Sequence, residues 1–124
     1  AAGLEDRVTA AAGDFFAEPL PTADVITMGH ILHDWNLERR MHLIAAAYDA
    51  LQEGGAFIAI ENVIDDARRE NAFGLLMSLN MLIETGDGSE FTGAEFADWC
   101  KEVGFKEIDV LPLAGPTSAA IAYR

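Results

Sequence analysis

The chain has 124 residues, 21 acidic and 8 basic, for a net charge of −13 with the histidines neutral. That length fits one domain and excludes two full ones. A composition 51% hydrophobic and 23% charged is that of a packed globular protein, not of a disordered acidic tail. The few scattered basic residues supply no phosphate-binding stripe, which argues against nucleic acid and against polybasic docking on a membrane surface. Cys100 is the single cysteine, so an internal disulfide framework and a multi-cysteine zinc or iron–sulfur site are excluded. No apolar stretch approaches the roughly 18 residues that cross a bilayer. The segment Ala1–Arg7 has neither the basic flank nor the apolar run of a signal peptide, and a soluble cytoplasmic protein is the expectation.

In chain order, a short strand is expected at Arg7–Ala11, closed by Gly13 and Asp14. A clearer one follows at Asp24–Met28 after the turn-forming Pro19 and Pro21. Met41, Ile44, Tyr48 and Leu51 recur at helical spacing and predict an amphipathic helix over Leu37–Gln52. Asp34 or Asn36 can cap its start, and Gly54-Gly55 can end it in a left-handed conformation. Ala56–Ile60 is a continuous apolar run, as expected of a buried parallel strand. A second helix over Arg69–Glu84 is apolar nearly all round and predicts burial on more than one side. Gly86, Asp87 and Gly88 break it.

Thr92-Gly93-Ala94-Glu95 reads as a capping box. It opens a helix with Phe96, Trp99, Cys100 and Val103 on one face, ending at Gly104. Glu107–Leu111 and Ala119–Tyr123 then form a hairpin across Pro112–Thr117. Strands alternating with helices and closing in a hairpin indicate an α/β doubly wound sheet with an antiparallel C-terminal edge hairpin.

Nucleotide-binding sheets place a glycine-rich turn between their first strand and first helix. The sequence has none, since Gly86-Asp87-Gly88 and Gly54-Gly55 both follow helices, so either the domain binds no nucleotide-like cofactor or the strand carrying that turn is expected upstream of Ala1. The chemical candidates instead cluster just past the Asp24–Met28 strand, where open α/β sheets hold ligands. There His33 or His30 can serve as a general base at neutral pH, or as a structural histidine beside a capping aspartate. Glu61 ends the next strand toward the same rim and can orient an imidazole, or can be a solvated strand-end residue. Glu90 lies in the loop before the third helix. Met77, Asn80 and Met81 share one stretch of the apolar helix and suit either core or pocket. No histidine and carboxylate spacing marks a metal site.

Gly13-Asp14-Phe15-Phe16, Leu20-Pro21, Ala23-Asp24-Val25, Ile31-Leu32-His33-Asp34-Trp35-Asn36, and Gly54-Gly55 before the strand ending in Glu61 occur in an order that resembles a known family. It is that of the S-adenosylmethionine-dependent O-methyltransferases of the plant caffeic-acid type and their bacterial small-molecule relatives. Ser78–Leu82 and Thr92–Phe105 extend the likeness over essentially the whole chain, and the Leu32–Trp35 core is its most specific part. The resemblance implies the class I methyltransferase fold, Rossmann-like, with this chain as the C-terminal portion of the catalytic domain. The chain then begins near that fold's third strand, without its glycine-rich turn, and the N-terminal part of the sheet is missing. An N-terminal helical domain, also missing, would make the full-length protein a homodimer.

Carried over by position, the resemblance makes His33 the base that deprotonates a substrate hydroxyl, with Glu61 and Glu90 flanking it. Asp14, Phe15, Gly29 and Trp35 fall at the cofactor. Plant members have a basic residue at the Gly29 position, so that contact is absent, and Leu37 replaces a frequent acidic residue. Met77, Asn80 and Met81 fall at the substrate, Met81 against an aromatic ring. No role for His30 carries over. The implied reaction is methyl transfer from S-adenosylmethionine to a hydroxyl of an aromatic or polyketide-like small molecule, with the 124 residues inactive alone. A non-catalytic cofactor-binding member, and a relative performing hydroxylation or decarboxylation at the same crevice, are the alternatives.

Overall fold

The computed structural model describes residues 3–124; Ala1 and Ala2, the start of the Ala1–Arg7 segment considered above, lie outside the described residues. Strand β1 (Ala23–Gly29) leads through a single 3₁₀ turn (Leu32–Asp34) into helix α1 (Leu37–Ala50), which is followed directly by β2 (Leu51–Glu61). Helices α2 (Ala72–Thr85) and α3 (Gly93–Val103) come next, then β3 (Glu107–Pro112) and β4 (Ser118–Tyr123). The sheet order is β1-β2-β4-β3, with β1 parallel to β2 and β4 antiparallel to both of its neighbours. The hairpin therefore occupies the sheet edge as expected, and its reversed strand β4 is the inner member.

The core lies between this sheet and the pair α1 and α3. Phe57 and Ala59 of β2 and Ala120 and Ala122 of β4 face Leu43, Ile44 and Ala47 of α1 and Phe96 and Cys100 of α3, all fully buried. Ala122 sits opposite Phe57 in the ladder, and the Phe57 ring meets those of Phe96 and Phe105 at centroid distances of 6.1 and 6.3 Å. Each such apolar side chain stabilises the fold by about 1.5–3 kcal/mol through burial. The capping box forms as read: Thr92 Oγ1 accepts the Glu95 N–H at 3.1 Å, and the Glu95 carboxylate accepts the Thr92 N–H at 2.8 Å.

Three expectations need correction. Arg7–Ala11 is not a strand: the Arg7 and Val8 N–H groups donate to the Leu4 carbonyl in a local turn, and Val8 is exposed, with no ladder partner among the described residues. Gly54-Gly55 does not end α1, which stops at Ala50 and passes into extended backbone at Leu51. The two glycines instead serve an irregularity in the β1–β2 register, where Ala23 pairs with Leu51 but Val25 with Ala56. Gly54 takes φ 79°, and a Cβ on Gly55 would lie 2.7 Å from the Asp24 carbonyl oxygen, a space only glycine leaves open. Helix α2 is not buried on several sides: only Gly74 and Met81 are buried, while Phe73, Leu76, Leu79, Leu82 and Ile83 are exposed. Its main packing partner among the described residues is the 3₁₀ turn.

Candidate active site

The parallel strands β1 and β2 end side by side, with Gly29 paired to Ile60, so the residues that follow each strand meet at one rim. His30 takes a left-handed backbone, φ 52°, with its N–H on the Ile60 carbonyl at 3.0 Å. That turn carries the chain off the sheet and into the 3₁₀ turn that holds His33. Glu61, fully buried, accepts the Ile31 and Leu32 N–H groups on Oε1 at 3.1 and 3.0 Å. A carboxylate there satisfies the open donors at the start of the turn and fixes its position. Asn36 caps α1 by accepting the Arg39 N–H, leaving the Asp34 side chain free of that task.

His33 is buried with its Nδ1 2.9 Å from Glu90 Oε1 and 3.6 Å from Glu61 Oε2. Glu90 is itself held by Asn62, whose amide donates to the same oxygen at 3.2 Å, and by Ser78 of α2, whose hydroxyl accepts the Glu90 N–H at 3.1 Å. With Glu90 accepting from Nδ1–H, the neutral ring presents the lone pair on Nε2. Asp34 lies 3.4 Å from Nε2, placed to favour the imidazolium.

Burial, the largest influence on His33, disfavours its charged form, but the Glu90 hydrogen bond and the charges of Glu61, Glu90 and Asp34 together hold its pKa above the ordinary histidine value. Burial pushes the Glu61 carboxyl up to about 7 against the attraction of His33, and the Glu90 charge adds to the rise. The second oxygens of Glu61 and Glu90 are buried without hydrogen-bond partners among the described residues.

Arg40 locks the two loops of the site together. Its Nε donates to the Leu32 carbonyl at 2.9 Å, and its Nη2 donates to the Ser89 hydroxyl at 3.0 Å and to the Ser89 carbonyl. The guanidinium lies over the Phe91 and Trp99 rings at 5.6 and 5.4 Å, and burial lowers its pKa. The Ser89 N–H returns a bond to the His33 carbonyl at 2.9 Å. Gly88 makes this approach possible, since a Cβ there would lie 2.5 Å from that carbonyl oxygen.

The structure thus brings His33, Glu61 and Glu90 into one cluster. Among the described residues, no side-chain hydrogen bond joins the other candidates to these three. Asp14 is exposed and accepts the Phe16 N–H at 2.9 Å; Phe15 packs edge-on against Phe16, and Phe16 against Trp35, both at 4.9 Å. Among the described residues the Trp35 indole N–H is buried without a partner, and Gly29 is exposed with open space where a Cβ would stand. Met81 is buried and Met77 half-buried, while Asn80 is exposed and bonded to Glu84 on its own helix at 3.0 Å. Arg40, Asn62, Ser78 and Ser89 carry no local mark of a site role in the sequence and act on the site only through tertiary contacts. No helix among the described residues is long and apolar enough to cross a membrane.

Residues 1–106 match the O-methyltransferase domain family. The chain is 46% identical over 119 residues to the tetracenomycin polyketide synthesis 8-O-methyl transferase of Streptomyces glaucescens, covering 96% of this chain and 35% of that protein. It is 39% identical over 117 residues to the 3-hydroxy-5-methyl-1-naphthoate 3-O-methyltransferase of Streptomyces sahachiroi, covering 94% and 34%. Its fold superimposes on human N-acetylserotonin methyltransferase, solved in complex with SAM, with a TM-score of 0.90 at 32% identity, over 97% of this chain and 34% of that one. The chain spans about a third of the length of the curated relatives it matches. On the family match and these identities, the chain belongs to the O-methyltransferase domain family.

Proposed function

We propose that the chain forms the base-bearing C-terminal portion of the catalytic domain of an S-adenosylmethionine-dependent O-methyltransferase acting on a hydroxyl of an aromatic or polyketide-like small molecule. The observation that carries this reading is the buried His33 ring, oriented through Nδ1 by Glu90 and flanked by Glu61. A phenol with a pKa near 10 is only about 0.1% ionised at pH 7, so removing its proton is a large part of the task. His33 Nε2 takes that proton, and Glu90, Glu61 and Asp34 stabilise the imidazolium so formed. Of these, Glu90 and Glu61 are positioning residues. Met77, Asn80 and Met81 on α2 form the acceptor side, Met81 offering an adaptable apolar surface. Relatives named as an 8-O-methyl transferase of tetracenomycin polyketide synthesis and a 3-hydroxy-5-methyl-1-naphthoate 3-O-methyltransferase support an aromatic acceptor.

When bound, the cofactor supplies an electrophilic sulfonium methyl group. Asp14, Phe15, Gly29 and Trp35 would hold it, and the orphaned Trp35 N–H beside an aromatic cluster and the open backbone at Gly29 fit such a ligand. The reading includes a cytoplasmic location and a homodimer formed through a helical domain outside these residues. In an enzyme that contains this chain, His33→Ala should lower methyl transfer by about 10²–10⁴-fold while leaving cofactor affinity nearly unchanged. Turnover at the unaltered rate would refute the role of His33.

A further inference from the structure

His30 is left without a task by the reaction above, yet the fold places it with care. Its left-handed backbone, φ 52°, is uncommon for a residue with a side chain. It brings Nδ1 within 3.6 Å of Glu61 Oε2, the same distance at which His33 Nδ1 stands from that oxygen. One ligand atom from each of His30, His33 and Glu61 lies within 4.8 Å of the other two. The Glu61 oxygen between the histidines is buried and has no hydrogen-bond partner among the described residues.

We propose that His30, His33 and Glu61 form a binding site for a divalent late transition metal ion such as zinc. Ligand atoms about 2.0–2.2 Å from zinc in a tetrahedron stand roughly 3.3–3.5 Å from one another, so the two spacings to Glu61 need to close by only tenths of an ångström, while the spacing between the two histidines is held within 4.8 Å. Two imidazole nitrogens and one carboxylate oxygen suit zinc or copper, whereas magnesium and calcium favour oxygen donors throughout. Glu61 is already oriented by the Ile31 and Leu32 N–H groups, which act as its outer support. The His30 side chain is 51% exposed, which gives the ion an entry path from solvent. Glu61 and Glu90, when ionised, favour a dication there, against the charge of the nearby Arg40 guanidinium.

Occupation has a chemical consequence. Binding through His33 Nδ1 requires that nitrogen's lone pair, so the ring proton moves to Nε2 and the bond to Glu90 is given up, leaving Glu90 on Asn62. A ring in that state has no lone pair with which to accept a proton. On the proposed role of His33, the ion is therefore an inhibitor of the base and not a participant in its reaction.

The test is a titration of the chain with zinc ion alone, in competition with a chromophoric chelator, with circular dichroism to confirm the fold. The unaltered chain should take up one ion. Loss of an outer-shell partner typically costs about 10–100-fold in affinity, so removal of a direct ligand in His30→Asn or Glu61→Gln should cost at least as much. Asparagine tolerates the left-handed backbone, so His30→Asn keeps the test decisive if Glu61→Gln fails to fold. His42→Ala, which alters the remaining histidine, should leave uptake unchanged. No uptake by the unaltered chain at a stoichiometric excess, or undiminished uptake by His30→Asn, overturns the site. The measurement needs neither cofactor nor acceptor, so its failure is distinct from a failure of the methyl-transfer reading.

Discussion

Helices α2 and α3 differ in composition in the direction opposite to their burial. α2 is the more apolar, yet it exposes Leu76, Leu79, Leu82 and Ile83. α3 carries Glu95, Asp98, Lys101 and Glu102 among its residues, yet it buries Phe96 and Cys100 completely. The difference is in what each helix lies against. α3 is fixed at its start by a reciprocal cap and packs on α1, β3 and β4, whereas α2 packs chiefly on the short turn that carries His33. Apolar content records how much surface a helix could bury, and the neighbouring elements decide how much it does.

The contrast can be broken at its strongest point by Phe96→Ala, which empties a fully buried site between the sheet and α3. A loss of about 3–5 kcal/mol is expected in urea unfolding; a loss under about 1 kcal/mol would mean that α3 is not the anchor described. Gly88→Ala probes the junction between the two regions. Its Cβ would meet the His33 carbonyl oxygen and the Thr85 hydroxyl at 2.5 and 2.6 Å, so a loss of about 1–3 kcal/mol is expected, with shifted His33 ring resonances in NMR spectra. Ile83→Gln on the exposed face of α2 should change the stability of this chain by no more than about 0.5 kcal/mol. A larger loss in the same unfolding assay would show that this face is covered after all.

Much of this was legible in the sequence where local rules decide. Helical spacing and the Thr92–Glu95 box located α1 and α3, and period-2 segments around a short loop located the hairpin. His33 and Glu61 were visible because they follow or end successive strands, a position the topology turns into a shared rim. Glu90 had no such local mark and came from the family resemblance. The failures are those where long-range contact decides. Val8 and its neighbours have strand-like residues but no ladder, and Gly54-Gly55 answers to the approach of Asp24 on another strand. Arg40 reads as an ordinary helix residue until its guanidinium is found joining Leu32 to Ser89.

The base assigned to His33 is tested most directly by acceptor acidity. In an enzyme that contains this chain, unaltered and His33→Ala forms are compared over a series of phenolic acceptors that differ in pKa but not in shape, with cofactor saturating. A histidine that removes the hydroxyl proton matters least for acceptors already ionised, so the ratio of the two rates should fall steadily as the phenol becomes more acidic. A ratio that stays constant across the series would contradict a base at His33 and leave the cluster with Glu61 and Glu90 a structural role alone.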